Sequence, residues 1–115
     1  MKTDVYYYSG TGNALWASKR LAEELGGEDI HPIAKQNGTV HIVDGDIVGI
    51  VFPVHIWGVP RRVLRFVEQL SVEKGAYCFA VAVNGGQVAR TLVQLKEAMA
   101  SKGIALSSGF EILFP

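Results

Sequence analysis

Residues 5–14 read Val-Tyr-Tyr-Tyr-Ser-Gly-Thr-Gly-Asn-Ala, an apolar and aromatic run followed at once by a loop of glycines and small polar residues. The run from Val5 to Tyr8 predicts a compact strand that stops at Ser9-Gly10. A helical pattern begins at Asn13 and is ended by Gly26-Gly27, as glycine commonly ends a helix. The apolar face of that helix comprises Ala14, Ala17, Leu21, Ala22 and Leu25.

The rest of the chain continues the alternation of strands and helices. Runs without polar alternation at 46–54 and 77–83 predict strands buried on both faces, as in a parallel sheet. Further strands are predicted at 29–33, where Pro32 suits an edge position, and at 104–114, with a brief one at 40–43. One helix is predicted from Pro60, with an apolar stripe of Val63, Phe66, Val67 and Leu70. Another is ended by Gly103, with a stripe of Val88, Leu92, Leu95 and Met99. The pattern predicts one doubly wound α/β domain over residues 1–115.

The glycine loop at 9–14 lies where parallel sheets bind ligands, beyond the carboxyl end of a strand. A helix N-terminus offers amide donors and partial positive charge to an anion such as phosphate. The dinucleotide fingerprint would need glycine where Leu15 stands, and the nucleotide-triphosphate loop would need Gly-Lys where Gly12-Asn13 stands. A turn capped by Thr11 or Asn13 with no ligand is the alternative.

Composition narrows the function classes. Eleven basic and eleven acidic residues cancel, whereas nucleic-acid binding would favour a basic surplus. The single cysteine, Cys78, permits no intramolecular disulfide and fits a reducing compartment. No signal peptide is visible, and no apolar run reaches the roughly 20 residues that cross a bilayer. The chain is therefore predicted to be soluble and cytoplasmic, with no nucleic-acid or membrane partner.

Three separated motifs carry a family resemblance. The loop at 9–13 resembles the flavin phosphate loop of flavodoxins. The stretch Tyr-Tyr-Ser-Gly-Thr-Gly-Asn at 7–13 and the stretch Val-Phe-Pro-Val-His-Ile-Trp-Gly-Val-Pro at 51–60 resemble flavodoxin domains fused ahead of bacterial-type ferredoxin modules. Val83-Asn84-Gly85-Gly86 falls where that family has its third flavin loop. The resemblance implies a flavodoxin-like five-stranded parallel sheet with strand order 2-1-3-4-5.

The resemblance also implies a noncovalently bound flavin mononucleotide (FMN) and a set of contacts to it. The phosphate would be held by Ser9, Gly10, Thr11, Gly12 and Asn13, with Ala14 where relatives usually carry serine or threonine. The isoalloxazine would be lined after the third strand by Pro53, His55, Ile56, Trp57 and Gly58. Its pyrimidine edge would meet backbone groups of Asn84, Gly85 and Gly86. Gly58 would permit a peptide flip that lets a carbonyl accept the N5–H of the reduced flavin. Neither a metal nor a catalytic side chain is predicted.

The chain departs from these relatives in two further ways. It carries no ferredoxin module, and it stops at Phe114-Pro115, where relatives continue into a last helix. The first helix alone cannot cover one face of five strands, so an open apolar patch is predicted there. We expect a homodimer or a partner chain over that patch, unless the chain is a fragment.

Several single residues have simpler structural interpretations. Trp16 lies off its helix stripe and is assigned no function, and Cys78 is interpreted as an inert core residue. The histidines at 31, 41 and 55 show no metal-ligand spacing or carboxylate partners in sequence. Asp44 and Asp46 flank Gly45 as a turn. Three arginines at 61, 62 and 65 form a solvated helix face or, alternatively, a docking patch for an acidic redox partner.

The sequence thus supports three functions. The first is an FMN-binding electron carrier that serves a redox partner protein, such as one of ferredoxin type. The second is a flavin-dependent reductase of quinones that uses NAD(P)H, although no second-substrate site is identified. The third is a cofactor-free interaction remnant of a flavodoxin domain, which the substitution at Ala14 and the early stop favour.

Overall fold

Strands and helices alternate along the chain in a computed structural model, which describes residues 2–8, 12–26, 29–54, 58–83 and 88–112. The strands are β1 (Thr3–Tyr7), β2 (Asp29–Pro32), β3 (Val40–Ile42), β4 (Ile47–Pro53), β5 (Leu70–Val72), β6 (Tyr77–Val83) and β7 (Ser108–Ile112). The helices are α1 (Asn13–Glu24), α2 (Arg61–Glu68) and α3 (Val88–Ala100), and a 3-10 turn covers Ile33–Lys35.

Five of the strands form one sheet in the order β2-β1-β4-β6-β7, and every pair in it is parallel. Val5 pairs with both Ile30 and Gly49, and Ile50 pairs with Ala80. Counting only these five strands, the order is 2-1-3-4-5, so the predicted flavodoxin-like α/β fold is confirmed. The continuous apolar runs of β4 and β6 are explained by their central position, with helices on both sides of the sheet.

The helices divide the core into two clusters of different size. The first, here called the α2–α3 face, packs the inner sides of α2 and α3 onto the sheet and contains Phe52, Phe66, Leu95 and Met99, all 0% exposed. The second, here called the α1 face, is smaller: Ala14 and Ala17 of α1 pack on Val5, Val51, Phe79, Val81 and Val83. Small alanines bring α1 close to the sheet but cover little of it.

The α1 face ends in three aromatic side chains on β6 and β7. The ring of Phe79 lies over Gly49, where an added Cβ would meet the ring carbon Cζ at 2.5 Å. Phe79 is thereby 5% exposed, while Tyr77 beside it is 44% exposed and Phe110 is 53% exposed. Ring centroids lie 6.4 Å apart for Phe79 and Phe110 and also for Phe79 and Tyr77. This aromatic patch (Tyr77, Phe79, Phe110) borders the part of the sheet that α1 does not reach.

The structure corrects three boundaries predicted from the sequence. Leu70 was assigned to the stripe of α2, but α2 ends at Glu68 and Leu70 begins β5, which pairs in parallel with β3. The apolar spacing could not reveal this, because Leu70 is buried on β5 just as it would be on the inner side of the helix. The brief strand predicted at 40–43 forms as β3, over 40–42. The strand predicted at 104–114 begins only at Ser108, and Ile104 instead closes α3 around Gly103, since its N–H bonds to Met99 O at 3.0 Å.

Candidate functional site

Three of the sheet's strands bring the predicted flavin loops to one edge. The loops follow β1, β4 and β6, which are neighbours in the sheet, so their carboxyl ends lie side by side. Backbone bonds hold this edge up to the loops: Tyr8 N–H donates to Val51 O (2.9 Å) and Val54 N–H to Val83 O (3.1 Å). The chain runs from β1 outward to β2 and later from β4 the other way to β6, so the topological switch point lies between β1 and β4.

The N-terminus of α1 lies beside this switch point and has the chemistry of an anion site. Its N-cap is Gly12, in the left-handed region with φ of 93°, and Gly12 O accepts the Trp16 N–H at 3.0 Å. Among the described residues, no side-chain hydrogen bond caps the helix, so capping by Asn13 is not observed. The first turn contains no acidic residue, so no side-chain carboxylate there would repel an anion.

The segment after β4 is held by a side chain of α3. Gly58 has φ of 100°, a conformation that glycine adopts readily and other residues rarely do. The next amide, Val59 N–H, donates to the Gln94 side-chain oxygen Oε1 at 2.9 Å. A Cβ added at Gly58 would lie 2.4 Å from the same Oε1 and 3.9 Å from Thr91 Oγ1. Pro60 then precedes α2, which starts where the sequence predicted it.

Only part of the predicted site lies in the described residues. Gly12, Asn13 and Ala14 form the start of α1, Pro53 ends β4, and Gly58 makes the left-handed turn after it. Ala14 is 2% exposed and packs under the helix against the sheet. The remaining predicted residues lie outside the described residues: Ser9, Gly10, Thr11, His55, Ile56, Trp57, Asn84, Gly85 and Gly86.

Sequence reasoning did not identify Gln94, the residue that binds the segment after β4. Gln94 and Thr91 lie three residues apart on α3, each one position before a leucine of its apolar stripe. Thr91 is 2% exposed, which is unusual for a polar residue on a helix surface. Two polar residues on the border of an apolar stripe were the available signal, since they must find polar partners when the stripe is buried.

The residues that the structure describes fit a flavin phosphate and a redox-active ring. A glycine-capped helix N-terminus without nearby acids suits a dianionic phosphate, and a glycine in the left-handed region allows the backbone to approach a planar ring closely. The arrangement can bind a phosphorylated ligand at the switch point by backbone amides. Among the described residues it brings no acid–base pair or nucleophile to that edge.

Away from the flavin loops, toward the amino ends of β1 and β2, lies a charged cluster. His31 Nε2 lies 2.9 Å from Asp4 Oδ1, and Lys2 Nζ lies 3.8 Å from a carboxylate oxygen of both Asp4 and Asp29. Asp4, Asp29 and His31 each offer one ligand atom within 4.8 Å of the others, but the Lys2 ammonium already supplies a cation. The prediction that His31 lacks a carboxylate partner is therefore wrong: parallel pairing of β1 with β2 brings Asp4 to it.

The surroundings of two other side chains shift their pKa values. Burial, then the charges of Asp4 and Asp29, raise the pKa of Tyr6 to about 12. The second histidine is also partnered, contrary to expectation, because β3 and β5 place His41 Nε2 2.9 Å from Glu73 Oε2. That bond, with a further one from Asp44 N–H, lowers the pKa of the Glu73 carboxyl.

Other candidate residues take the simpler roles. Cys78 is 1% exposed, and burial raises the pKa of its thiol. Arg62 donates to the carbonyl oxygens of Ile33 (3.3 Å) and Ala34 (3.1 Å) and so holds the 3-10 turn, while Arg61 and Arg65 are exposed. Trp16 is 54% exposed, with the Arg20 guanidinium 5.9 Å from its ring centroid.

Comparisons with known proteins support the fold. The chain is similar to the crystal structure of a candidate flavoprotein from Bacteroides uniformis, with a TM-score of 0.76 and 20% sequence identity, over 97% of this chain and 90% of that chain. A candidate flavoprotein from Bacteroides eggerthii is similar with a TM-score of 0.71 and 22% identity, over 98% of this chain and 87% of that one. No protein-family model matches the sequence. No curated protein matches it either. At this level of identity the likeness shows a flavodoxin-like fold.

None of the described helices is both long and apolar enough to cross a bilayer.

Proposed function

We propose that this protein binds FMN at the switch-point edge and carries electrons between partner proteins. The observation that carries the proposal is the start of α1, where glycine caps a helix N-terminus with no acid in its first turn, between β1 and the adjacent β4. The order of the three loop motifs in the sequence supports a flavin over other phosphorylated ligands. The two structural neighbours are themselves described as candidate flavoproteins.

The roles of the chain's own residues follow from this placement. The amides at 10–14 would bind the phosphate, and the loops at 53–58 and 84–86 would position the ring and shield it from water. Bound FMN would supply the electron transfer itself, while the protein sets its orientation and electrostatics. With Ala14 packed against the sheet, that position contributes an amide and no hydroxyl. The loss of one hydroxyl donor is worth about 1 kcal/mol, which weakens such a site without abolishing it.

The partner is proposed from the same resemblance. A domain similar to the flavodoxin half of fused flavodoxin–ferredoxin proteins would exchange electrons with a ferredoxin-type partner in the cytoplasm. The exposed Arg61, at the start of the helix that follows the flavin loop, and Arg65, in its last turn, are the candidate contacts for the partner's acidic surface. We further propose that a second copy of the chain covers the aromatic patch, because Phe110 and Tyr77 expose about half of their surface there.

The proposal is tested by titrating FMN and riboflavin into the purified protein and following flavin absorbance. Riboflavin lacks the phosphate, so FMN should bind more tightly by a factor of about 100 or more. The variant Asn13→Asp places a carboxylate in the first turn of α1, where it stabilises the helix but repels phosphate. It should weaken FMN binding about tenfold and leave riboflavin binding unchanged. The same substitution at the exposed Asn37 is the matched control and should change neither.

The outcomes separate the three functions. If the wild type binds no FMN at tens of micromolar, the carrier proposal is wrong and a cofactor-free interaction remnant remains. Turnover of a quinone with NAD(P)H by the FMN-loaded protein would identify a reductase instead. Equal weakening of FMN and riboflavin by Asn13→Asp would show that the α1 N-terminus does not hold the phosphate. A protein that sediments as a monomer at micromolar concentration would overturn the proposed homodimer.

A further inference from the structure

We infer that Gln94 is a positioning residue that fixes the peptide after Gly58 and thereby biases how the flavin loop responds to reduction. The inference rests on the proposed function for its redox part and on the described geometry for the rest. Gln94 lies on α3, 35 positions from the amide it binds, so it joins the loop after β4 to a helix of the α2–α3 face.

The chain that follows Gly58 is held by packing and by a hydrogen bond. The Val59 side chain is 6% exposed and belongs to the α2–α3 core. Its N–H is held by Gln94 Oε1 at 2.9 Å, and Pro60 follows with φ of −56° as the N-cap of α2. The peptide between Gly58 and Val59 is thus held through the Val59 amide, the buried Val59 side chain and the following Pro60.

The other side of Gly58 has a different freedom. A glycine rotates about φ between negative and positive values at little cost, because it has no Cβ. Gln94 Oε1 lies 2.4 Å from where that Cβ would be, so a side chain at 58 would displace the carboxamide, and the φ of 100° is one that glycine adopts readily. Rotation at Gly58 φ turns the peptide that precedes Gly58 and leaves the Val59 N–H on Gln94 Oε1.

Reduction of a flavin converts N5 from a hydrogen-bond acceptor to a donor, so a loop that can turn a carbonyl toward N5 binds the reduced form more tightly. With the amide of Val59 held, the change in orientation involves one peptide. Without the Gln94 oxygen, the Gly58–Val59 peptide loses its hydrogen bond and can turn more easily, so the loop must order two peptides instead of one. Gln94 would therefore raise the affinity for reduced over oxidised FMN.

The first arm of the test needs no flavin. Gln94→Met keeps the length of the side chain but removes the acceptor, whereas Gln94→Glu keeps an acceptor oxygen. Amide hydrogen exchange at Val59, measured by NMR on the apo protein, should accelerate at least tenfold in Gln94→Met and much less in Gln94→Glu. Gln36→Met is the matched control: Gln36 also makes one bond to the backbone, from Nε2 to Pro32 O at 3.1 Å, but in the segment after β2.

The second arm measures the ratio of affinities for reduced and oxidised FMN. It should fall at least threefold in Gln94→Met, recover toward the wild-type value in Gln94→Glu, and stay unchanged in Gln36→Met. Unchanged exchange at Val59 in Gln94→Met would overturn the positioning role. Faster exchange with an unchanged affinity ratio would overturn the redox role alone. A wild type that binds no FMN would overturn the redox role together with the proposed function, while the exchange arm would still decide whether Gln94 fixes the peptide.

Discussion

The two faces of the sheet are covered by helices whose buried side chains differ in size. On the α2–α3 face, two helices cover the strands with Phe, Val, Leu and Met side chains that are fully buried. On the α1 face, one helix presents alanines, and the far part of the sheet is covered by the aromatic patch itself, with Phe79 lying over Gly49. The α2–α3 face therefore contains most of the buried core, whereas the α1 face leaves aromatic side chains partly exposed.

The largest expected effect tests this division directly. Phe66 on α2 is 0% exposed and its ring centroid lies 4.9 Å from that of Tyr6, so Phe66→Ala should lower the free energy of unfolding by about 3–5 kcal/mol. Phe110→Ala, at a side chain 53% exposed, should cost about 1 kcal/mol or less. Urea unfolding of both variants gives the comparison. Equal losses would show that the α1 face is as deeply covered in solution as the other, as in a dimer.

A second change sharpens the comparison by filling space on the α1 face. Gly49→Ala places a Cβ 2.5 Å from Phe79 Cζ, so the ring must move, and we expect a loss of about 1–3 kcal/mol. The double variant with Phe79→Leu should recover about 1 kcal/mol of that loss, which a double-mutant cycle measures. Gly109→Ala, whose Cβ would meet Leu92 at 3.1 Å, is the milder counterpart on the other face. Strict additivity at 49 and 79 would contradict the packing of this ring on Gly49.

The smallest effect appears only at alkaline pH and compares neighbouring tyrosines on opposite faces. Burial and nearby carboxylates raise the pKa of Tyr6 to about 12 from 10.0. A raised pKa contributes stability that is fully present below pH 10 and is lost as pH rises toward 12. At pH 11 the wild type should therefore have lost about 1 kcal/mol that Tyr6→Phe does not lose. Tyr7→Phe, on the α1 face, is the control.

Tyrosinate absorbance during the same titration identifies the group. The last component to ionise in the folded protein should vanish in Tyr6→Phe and persist in Tyr7→Phe. An unchanged titration in Tyr6→Phe would show that Tyr6 ionises like an exposed phenol, and that the α2–α3 face does not exclude water around it.

The centre of the sheet could be predicted from the sequence because β4 and β6 are separate apolar runs. Continuous runs at 46–54 and 77–83 indicated central parallel strands, and Pro32 indicated an edge, as β2 proved to be. β5 was missed because three residues that follow a helix fit the helical stripe equally well. Local pattern cannot separate a buried Leu70 on a helix from one on a short strand.

The candidate site was predicted less completely, for a reason of distance along the chain. The loop at 9–14 and Gly58 are local signals of composition. The bond from Val59 to Gln94 joins positions 35 residues apart, and Asp4 meets His31 across 27. Such partners follow from the register of strands and the docking of helices, so only the assembled fold reveals them.

The all-parallel pairing of the main sheet also governs how the chain reaches its native state. No two neighbouring strands of that sheet are joined by a tight turn: Asp4 pairs with Asp29, Phe79 with Ser108, and Thr3 with Ile47, which lies 44 positions further along. Loop-closure entropy must therefore be overcome before any strand pair of the sheet is rewarded, which gives a high contact order and slow folding. On the ribosome, β1 is made before β4 and gains its inner neighbour only after β4 has been synthesised, so until then the inner side of its aromatic run remains unpaired.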